Sequence, residues 1–212
     1  MSGRARVTLF ATLATLLTSW SLAPLVETSG WLLQAALLLA VQAAVGAGAR
    51  RVPLARWLTV GAQLLVSLLL LLFLFAGKAE STGSGPLAFL VTDFAGLFQQ
   101  GVRDVGEFAI PAPLTDGIRL LLLAGVLAIG LLVDFLAVTM RSAAAAGLPL
   151  LALYSVAAGL STGRGQPWLA FLLAGAGYLM MLLSEGRDRL AQWGRVFGGA
   201  PGARTPASAG SG

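Results

Sequence analysis

The chain contains no cysteine and no histidine, and only 11% of its 212 residues are charged. The lack of cysteine excludes disulfides, thiolate nucleophiles and cysteine metal sites within these residues. The lack of histidine removes the most frequent general base and metal ligand. An average soluble domain has roughly 25% charged residues, so this chain has too few to cover a surface in water. Because 57% of its residues are hydrophobic and the mean hydropathy is +0.85, we expect lipid to be its main solvent.

Positive charge is present but thinly spread. The formal net charge is +5, and the arginines stand singly or in pairs between apolar runs rather than on a basic helix. This pattern argues against a nucleic-acid partner. P-loop, HExxH and GxSxG motifs are missing, and the one Ser–Lys combination would use Lys78 in a turn-rich segment. We therefore expect no cofactor, no metal and no catalysis by this chain alone.

Six apolar stretches approach the length of a membrane span. A helix needs roughly 20 apolar residues to cross a hydrocarbon core, and lipid offers no partners to an unpaired backbone. The stretches cover residues 7–26, 31–49, 57–76, 118–140, 142–160 and 168–184. The first follows two arginines, as a signal peptide would. Its apolar run is longer than the roughly 7–15 residues of a typical signal-peptide core, so we expect it to be retained as a transmembrane helix.

The distribution of basic residues predicts the orientation. With the N-terminus in the cytoplasm, ten of the 14 basic residues lie on the inner side and four outside. The expected cytoplasmic anchors are Arg50, Arg51, Arg56, Arg187 and Arg189. The preference for arginine over lysine, with abundant alanine and glycine, suggests a bacterial genome of high GC content. We predict six spans in the inner membrane, with both termini cytoplasmic; alternatively, Gly147 and Pro149 weaken the fifth stretch, and the last two form a re-entrant pair.

The loop of residues 77–117 contains a second pattern. Apolar residues recur there every three or four positions, opposite a polar face, which predicts an amphipathic helix over about residues 87–109. The helix is expected to end near Pro111 and Pro113. Its polar face is slightly acidic, so attraction to anionic lipids explains it poorly. Packing across the outer mouth of the bundle, or docking of a partner domain, fits better; a surface helix without a further role is the alternative.

Asp134 is the one ionisable residue deep within a predicted span. A charge in the membrane costs at least a few kcal/mol, so such residues mark either an ion path or a polar contact. Arg141 follows by seven residues, two turns away on the same helix face. This spacing favours a structural pairing with a basic residue near the inner interface over an ion relay. Asp134 and Arg141 are thus the candidate functional polar residues, and we expect Asp134→Asn to leave folding and insertion intact.

Several stretches of the chain also resemble a known family. They are MSGRARVTLFATLATLL, RRVPLARWLTVGAQ, VDFLAVTMRSAAAAGLPLLALYSVAAG and LLSEGRDRLAQWGRVFGG. Together they resemble the N-terminal membrane domain of bacterial transglutaminase-like membrane proteins of the TgpA type, over nearly all of the chain up to Gly199. The resemblance implies that a further span, an extracytoplasmic domain with a Cys-His-Asp triad and a last membrane helix follow this domain in the family. That triad has no counterpart among these residues, which contain neither cysteine nor histidine.

These observations predict an all-α polytopic membrane helix bundle over residues 1–197, with about six transmembrane helices and one extracytoplasmic amphipathic helix. The Gly-, Ala-, Pro- and Ser-rich residues 198–212 are expected to be a disordered tail. The predicted function is non-catalytic: the membrane anchor of a transglutaminase-like protein, shortened or encoded separately, which positions an extracytoplasmic domain or an envelope partner. The alternative is a small permease or channel with Asp134 as its key group. An intramembrane enzyme would need a nucleophile and base that the sequence lacks.

Overall fold

The structure, a computed structural model, describes residues 3–51, 56–75, 92–161 and 167–197. Within these ranges the α-helices are α1 (Gly3–Ser19), α2 (Trp31–Ala49), α3 (Arg56–Phe75), α4 (Phe94–Glu107), α5 (Asp116–Asp134), α6 (Ala143–Leu160) and α7 (Pro167–Phe197). A 3₁₀ helix, Trp20–Leu25, continues α1, and a π-helix, Phe135–Thr139, continues α5. The predicted tail and the first residues of the predicted amphipathic helix, 87–91, lie outside the described residues.

Six of these helices are long and apolar enough to cross a membrane. Among the described residues they cover Ala5–Leu25, Trp31–Ala49, Trp57–Phe75, Asp116–Thr139, Ala143–Leu160 and Trp168–Arg187. Pro149 lies inside α6 without ending it, so the fifth and sixth predicted spans are both full-length helices rather than a re-entrant pair. The predicted all-α membrane bundle is confirmed.

Helix α1 lies at the centre of the bundle and packs on α7, α5, α2 and α6. It is the least apolar of the six, yet half of its most hydropathic window is buried. Four of its hydroxyl groups donate to the carbonyl one turn earlier. Thr15 Oγ1, for example, donates to Ala11 (3.0 Å) and Thr18 Oγ1 to Ala14 (2.8 Å), and Thr12 and Ser19 do the same. Self-satisfied hydroxyls of this kind let a threonine-rich helix pack inside an apolar bundle.

Close helix crossings depend on glycine at two positions of the last two helices. A Cβ atom on Gly177 of α7 would lie 2.8 Å from the Cα atom of Ala14, so α7 approaches the backbone of α1 directly. A Cβ atom on Gly147 of α6 would lie 2.7 Å from the ring of Tyr178. The Tyr178 hydroxyl donates to the Ala144 carbonyl at 3.2 Å. Small residues at such crossings are typical of membrane bundles, where packing replaces the hydrophobic effect between helices.

The bundle has two distinct ends. At the first, called the α4 end, the backbone of the α1–α2 connection pairs with that of the α4–α5 connection: Ala112 N donates to Leu25 O (2.9 Å) and Glu27 N to Ala112 O (3.1 Å). At the second, called the Arg50 end, the start of α1, the end of α2, the start of α3 and the end of α5 meet. The start of α6 follows the π-helix at this end of the bundle, and Ala143 N donates there to the carboxylate of Glu185 on α7 (2.7 Å).

Helix α4 is the predicted amphipathic helix, observed from Phe94 with a π-helical turn at Thr92 and Asp93. It ends at Glu107, ahead of Pro111, and packs on the first turn of α5. Thr115 connects the two helices: its Oγ1 donates to the Asp104 carboxylate (2.6 Å) and accepts from the Ile118 amide (3.2 Å) at the start of α5. One hydroxyl thus caps α5 and joins it to α4.

Candidate functional site

Asp134 is the last residue of α5 and is 7% exposed. The guanidinium of Arg50, at the end of α2, donates to the carboxylate of Asp134 through both terminal nitrogens. Nη1 lies 2.8 Å from Oδ2 and Nη2 lies 3.3 Å from Oδ1. The two side chains are only 14% and 9% exposed. A two-point contact of this kind is the strongest form of the arginine–carboxylate pair, and here little water screens it.

Two further helices join this ion pair. From α3, the Gln63 amide donates to Asp134 Oδ2 at 2.9 Å. From α1, Thr8 Oγ1 accepts from Arg50 Nη2 at 3.1 Å. We call Thr8, Arg50, Gln63 and Asp134 the polar centre. It connects α1, α2, α3 and α5 in one hydrogen-bonded group at the Arg50 end.

The backbone of α2 makes room for the polar centre at Gly46. A Cβ atom there would collide with the amide of Gln63 and would lie 3.1 Å from Arg50 Nη2. Gly46 is one helical turn before Arg50, so the absence of its side chain opens the passage through which Gln63 reaches Asp134. The position of this glycine is thus required by the contact between α2 and α3.

A small cavity adjoins the polar centre at Gln63 and Asp134. The Gln42 amide nitrogen donates to the Leu127 carbonyl (3.3 Å), while Gln42 Oε1 is buried without a hydrogen-bond partner among the described residues. The cavity measures about 10 Å³ and is lined by Thr12, Leu39, Gln42, Ala43, Gln63, Gly130 and Asp134. That volume is about what a single water molecule needs.

The basic residue that pairs with Asp134 is Arg50, at the end of α2, and not Arg141. A continuous α-helix from Asp134 to Arg141 would place both residues on the same face. Instead the chain passes through the π-helix Phe135–Thr139, and Arg141 has a left-handed backbone with φ of 55°. This break rotates Arg141 off the face of Asp134 and leaves it exposed in the turn before α6.

The predicted topology anchors lie towards the same end as the polar centre. Arg50 and Arg51 follow the last turn of α2, and Arg56 begins α3. Arg51 is exposed, and so is Arg187 on α7. The side chains of Arg56 and Arg189 lie outside the described residues, although both positions belong to helices.

Sequence reasoning missed Thr8, Gln63 and Gly46. A signal for Gln63 was present, because Gln42 and Gln63 are amide side chains inside otherwise apolar spans, and polar residues there commonly bond to other helices. No comparable signal marks Gly46 among the 27 glycines.

The arrangement is suited to holding helices together. The carboxylate receives three hydrogen bonds, two of them from a cation that balances its charge. Within the described ranges, no three carboxylate side chains come together as metal ligands would. The polar centre thus forms a buried cross-link between four helices, with no net charge.

Comparison with known proteins agrees with this architecture. Residues 13–210 match the model of the TgpA N-terminal domain family, a domain separate from the catalytic one. Searches of curated proteins and of solved structures each found no match. A match over nearly the entire chain, to a domain of the kind that the fold describes, shows that this protein belongs to the TgpA N-terminal domain family.

Proposed function

We propose that this domain is a non-catalytic membrane anchor that positions an extracytoplasmic transglutaminase-like domain or another envelope partner. The polar centre carries the proposal. Asp134, the residue with the best claim to a transport or catalytic role, is occupied by Arg50 and Gln63 in a contact between helices. A carboxylate bound in this way supports a rigid bundle rather than a relay, because a relay requires a group free to exchange its proton or ion.

The proposed orientation follows the arginines. The Arg50 end faces the cytoplasm of a bacterial cell, since basic residues near the ends of spans are retained on that side. Helix α4 and the connections paired at Ala112 then lie outside, where a transglutaminase-like domain would act. The family match supports this arrangement, since the matched domain is separate from the catalytic one.

The proposal is tested by purifying the tagged full chain in mild detergent from the membranes of the bacterium that encodes it. Mass spectrometry of the sample is expected to identify a transglutaminase-like envelope protein that does not co-purify with an equally tagged, unrelated multi-span protein. The purified chain alone is expected to show no transglutaminase or peptidase activity. Such activity in the isolated chain, or the absence of any envelope protein that co-purifies specifically with it, would contradict the proposal.

A small permease or channel is the second candidate, and the cavity beside Asp134 is the observation that favours it. Its polar lining and the unpartnered Gln42 Oε1 resemble a step on a path for water or protons. The test is ion and proton flux into liposomes containing the full chain. Flux that Asp134→Asn abolishes while Asp116→Asn, at the α4 end, preserves it would support the permease; flux no greater than in empty liposomes would exclude it.

A further inference from the structure

Helix α4 has three sides rather than the two that its sequence pattern predicts. One side faces α5 and includes Leu97, Gly101 and Asp104. A second side is polar and exposed, and includes Gln100 and Arg103. The third side is apolar and exposed: Phe98 is 46% exposed, Val102 54% and Val105 52%. We call these three residues the α4 strip.

The contact between α4 and α5 shows which surface of the bundle lies next to the α4 strip, towards the middle of the membrane. Gly101 meets the backbone of Gly117, and a Cβ atom on it would also lie 3.0 Å from the side chain of Leu121. Below this contact, the same face of α5 continues through Gly125, Ala128 and Leu132 at helical spacing. These three residues are exposed, with Leu132 at 48%.

An exposed face in the middle of a membrane span is a lipid-facing face. Helix α4 therefore lies at the edge of the bundle, beside the lipid-facing surface of α5; packing across the mouth of the bundle was one of the two roles that the sequence favoured. Its apolar strip borders on the lipid-facing surface of α5, while its polar side remains available to water. This division is typical of a helix lying in the membrane interface.

The charges of α4 indicate which lipid it needs. The helix carries one arginine, Arg103, and two acids, Asp104 and Glu107, and Asp104 is engaged by Thr115. This set has no excess positive charge with which to attract anionic headgroups. Insertion of the apolar strip is thus the driving contact, and zwitterionic lipid is sufficient.

We propose that the α4 strip is inserted at the boundary between headgroups and acyl chains of the leaflet at the α4 end. Helix α4 then fixes the depth of this end of the bundle in the membrane. The inference requires only that the bundle spans a bilayer and does not depend on the anchor function or on the orientation.

Single-cysteine labelling tests this proposal cleanly because the chain has no cysteine of its own. Val102→Cys places an environment-sensitive fluorophore on the α4 strip, and Gln100→Cys places it on the polar side of the same helix as a matched control. Both positions are exposed, so a label there does not disturb the packing. The full chain is reconstituted in phosphatidylcholine nanodiscs and probed with a lipid-borne quencher and with iodide.

The label at position 102 is expected to emit at shorter wavelength and to be quenched severalfold more by the lipid-borne quencher than the label at position 100. Iodide is expected to show the reverse preference. Equal iodide quenching at both positions would place the α4 strip in water and overturn the proposal. Protection of position 102 from both quenchers would mean that protein covers the strip, which would overturn it as well. Should the Val102→Cys protein fail to elute as the unmodified chain does, Phe98→Cys provides a second position on the strip with the same expected outcome.

Discussion

Replacing Asp134 with alanine is expected to destabilise the folded bundle by about 3 kcal/mol, the lower part of the range for breaking a buried ion pair. The loss is large because Arg50, only 14% exposed in this pair, would keep its charge without the carboxylate that balances it. Gln63 would also lose its acceptor at 2.9 Å. For a chain of this length, each kcal/mol corresponds to roughly 2–4 °C in Tm, so Tm should fall by about 6–12 °C.

The assay is thermal unfolding of the purified full chain in a mild detergent. Unfolding is monitored by tryptophan fluorescence and by size-exclusion chromatography. Asp116→Ala is the matched control, because it removes a carboxylate from a pair that is longer (3.8 Å) and more exposed (42% for Asp116). Its cost should be about 1 kcal/mol or less. An Asp134→Ala protein with unchanged Tm would refute the assignment of the polar centre as a cross-link.

A double variant separates the loss of a contact from the isolation of a charge. Arg50→Met combined with Asp134→Leu removes both charges and retains apolar volume, so it should recover most of the stability that either single change removes. A shortfall of about 1 kcal/mol is expected because Gln63 loses a hydrogen bond. If the double variant is no more stable than the less stable of the two single variants, the loss in the single variants does not come from an isolated buried charge.

The contacts of Asp134 also change the expectation for Asp134→Asn. The sequence alone indicated that this substitution would leave folding and insertion intact. In the structure, however, an asparagine amide would direct its own N–H donors at Arg50 or Gln63, which are themselves donors. We now expect insertion to be retained but Tm to be lowered.

The remaining predictions concern glycine positions and topology. Gly46→Ala should lower Tm by displacing Gln63 from the polar centre, at a cost of about 1–3 kcal/mol, whereas Gly48→Ala in open space on the same helix should leave Tm unchanged or raise it. Gly101→Ala should separate α4 from the backbone of α5 and speed hydrogen exchange in α4, while Gly96→Ala should not. A cysteine replacing Arg51, which is exposed, should react with an impermeant maleimide only after cells are permeabilised; labelling of intact cells would reverse the proposed orientation.

Much of the fold follows from the hydrophobicity of the chain, which can be read directly from the sequence. Apolar runs of span length and the requirement to satisfy the backbone predict the six long helices. The three- and four-residue spacing of apolar residues before Pro111 likewise predicts α4, because a helix presents such residues on one side whatever surrounds it. These properties are local, and each can be evaluated within a single stretch of chain.

The sequence also determined that Asp134 needs a polar partner, because a charge at that depth is costly alone. Only the tertiary structure decided that the partner is Arg50, which lies 84 residues away. The nearer candidate, Arg141, is turned aside by the π-helix between them. Which side of α4 faces α5 was likewise decided by the close approach of Gly101 to Gly117. Such choices depend on how closely two helix backbones approach, a distance that spacing within one helix does not encode.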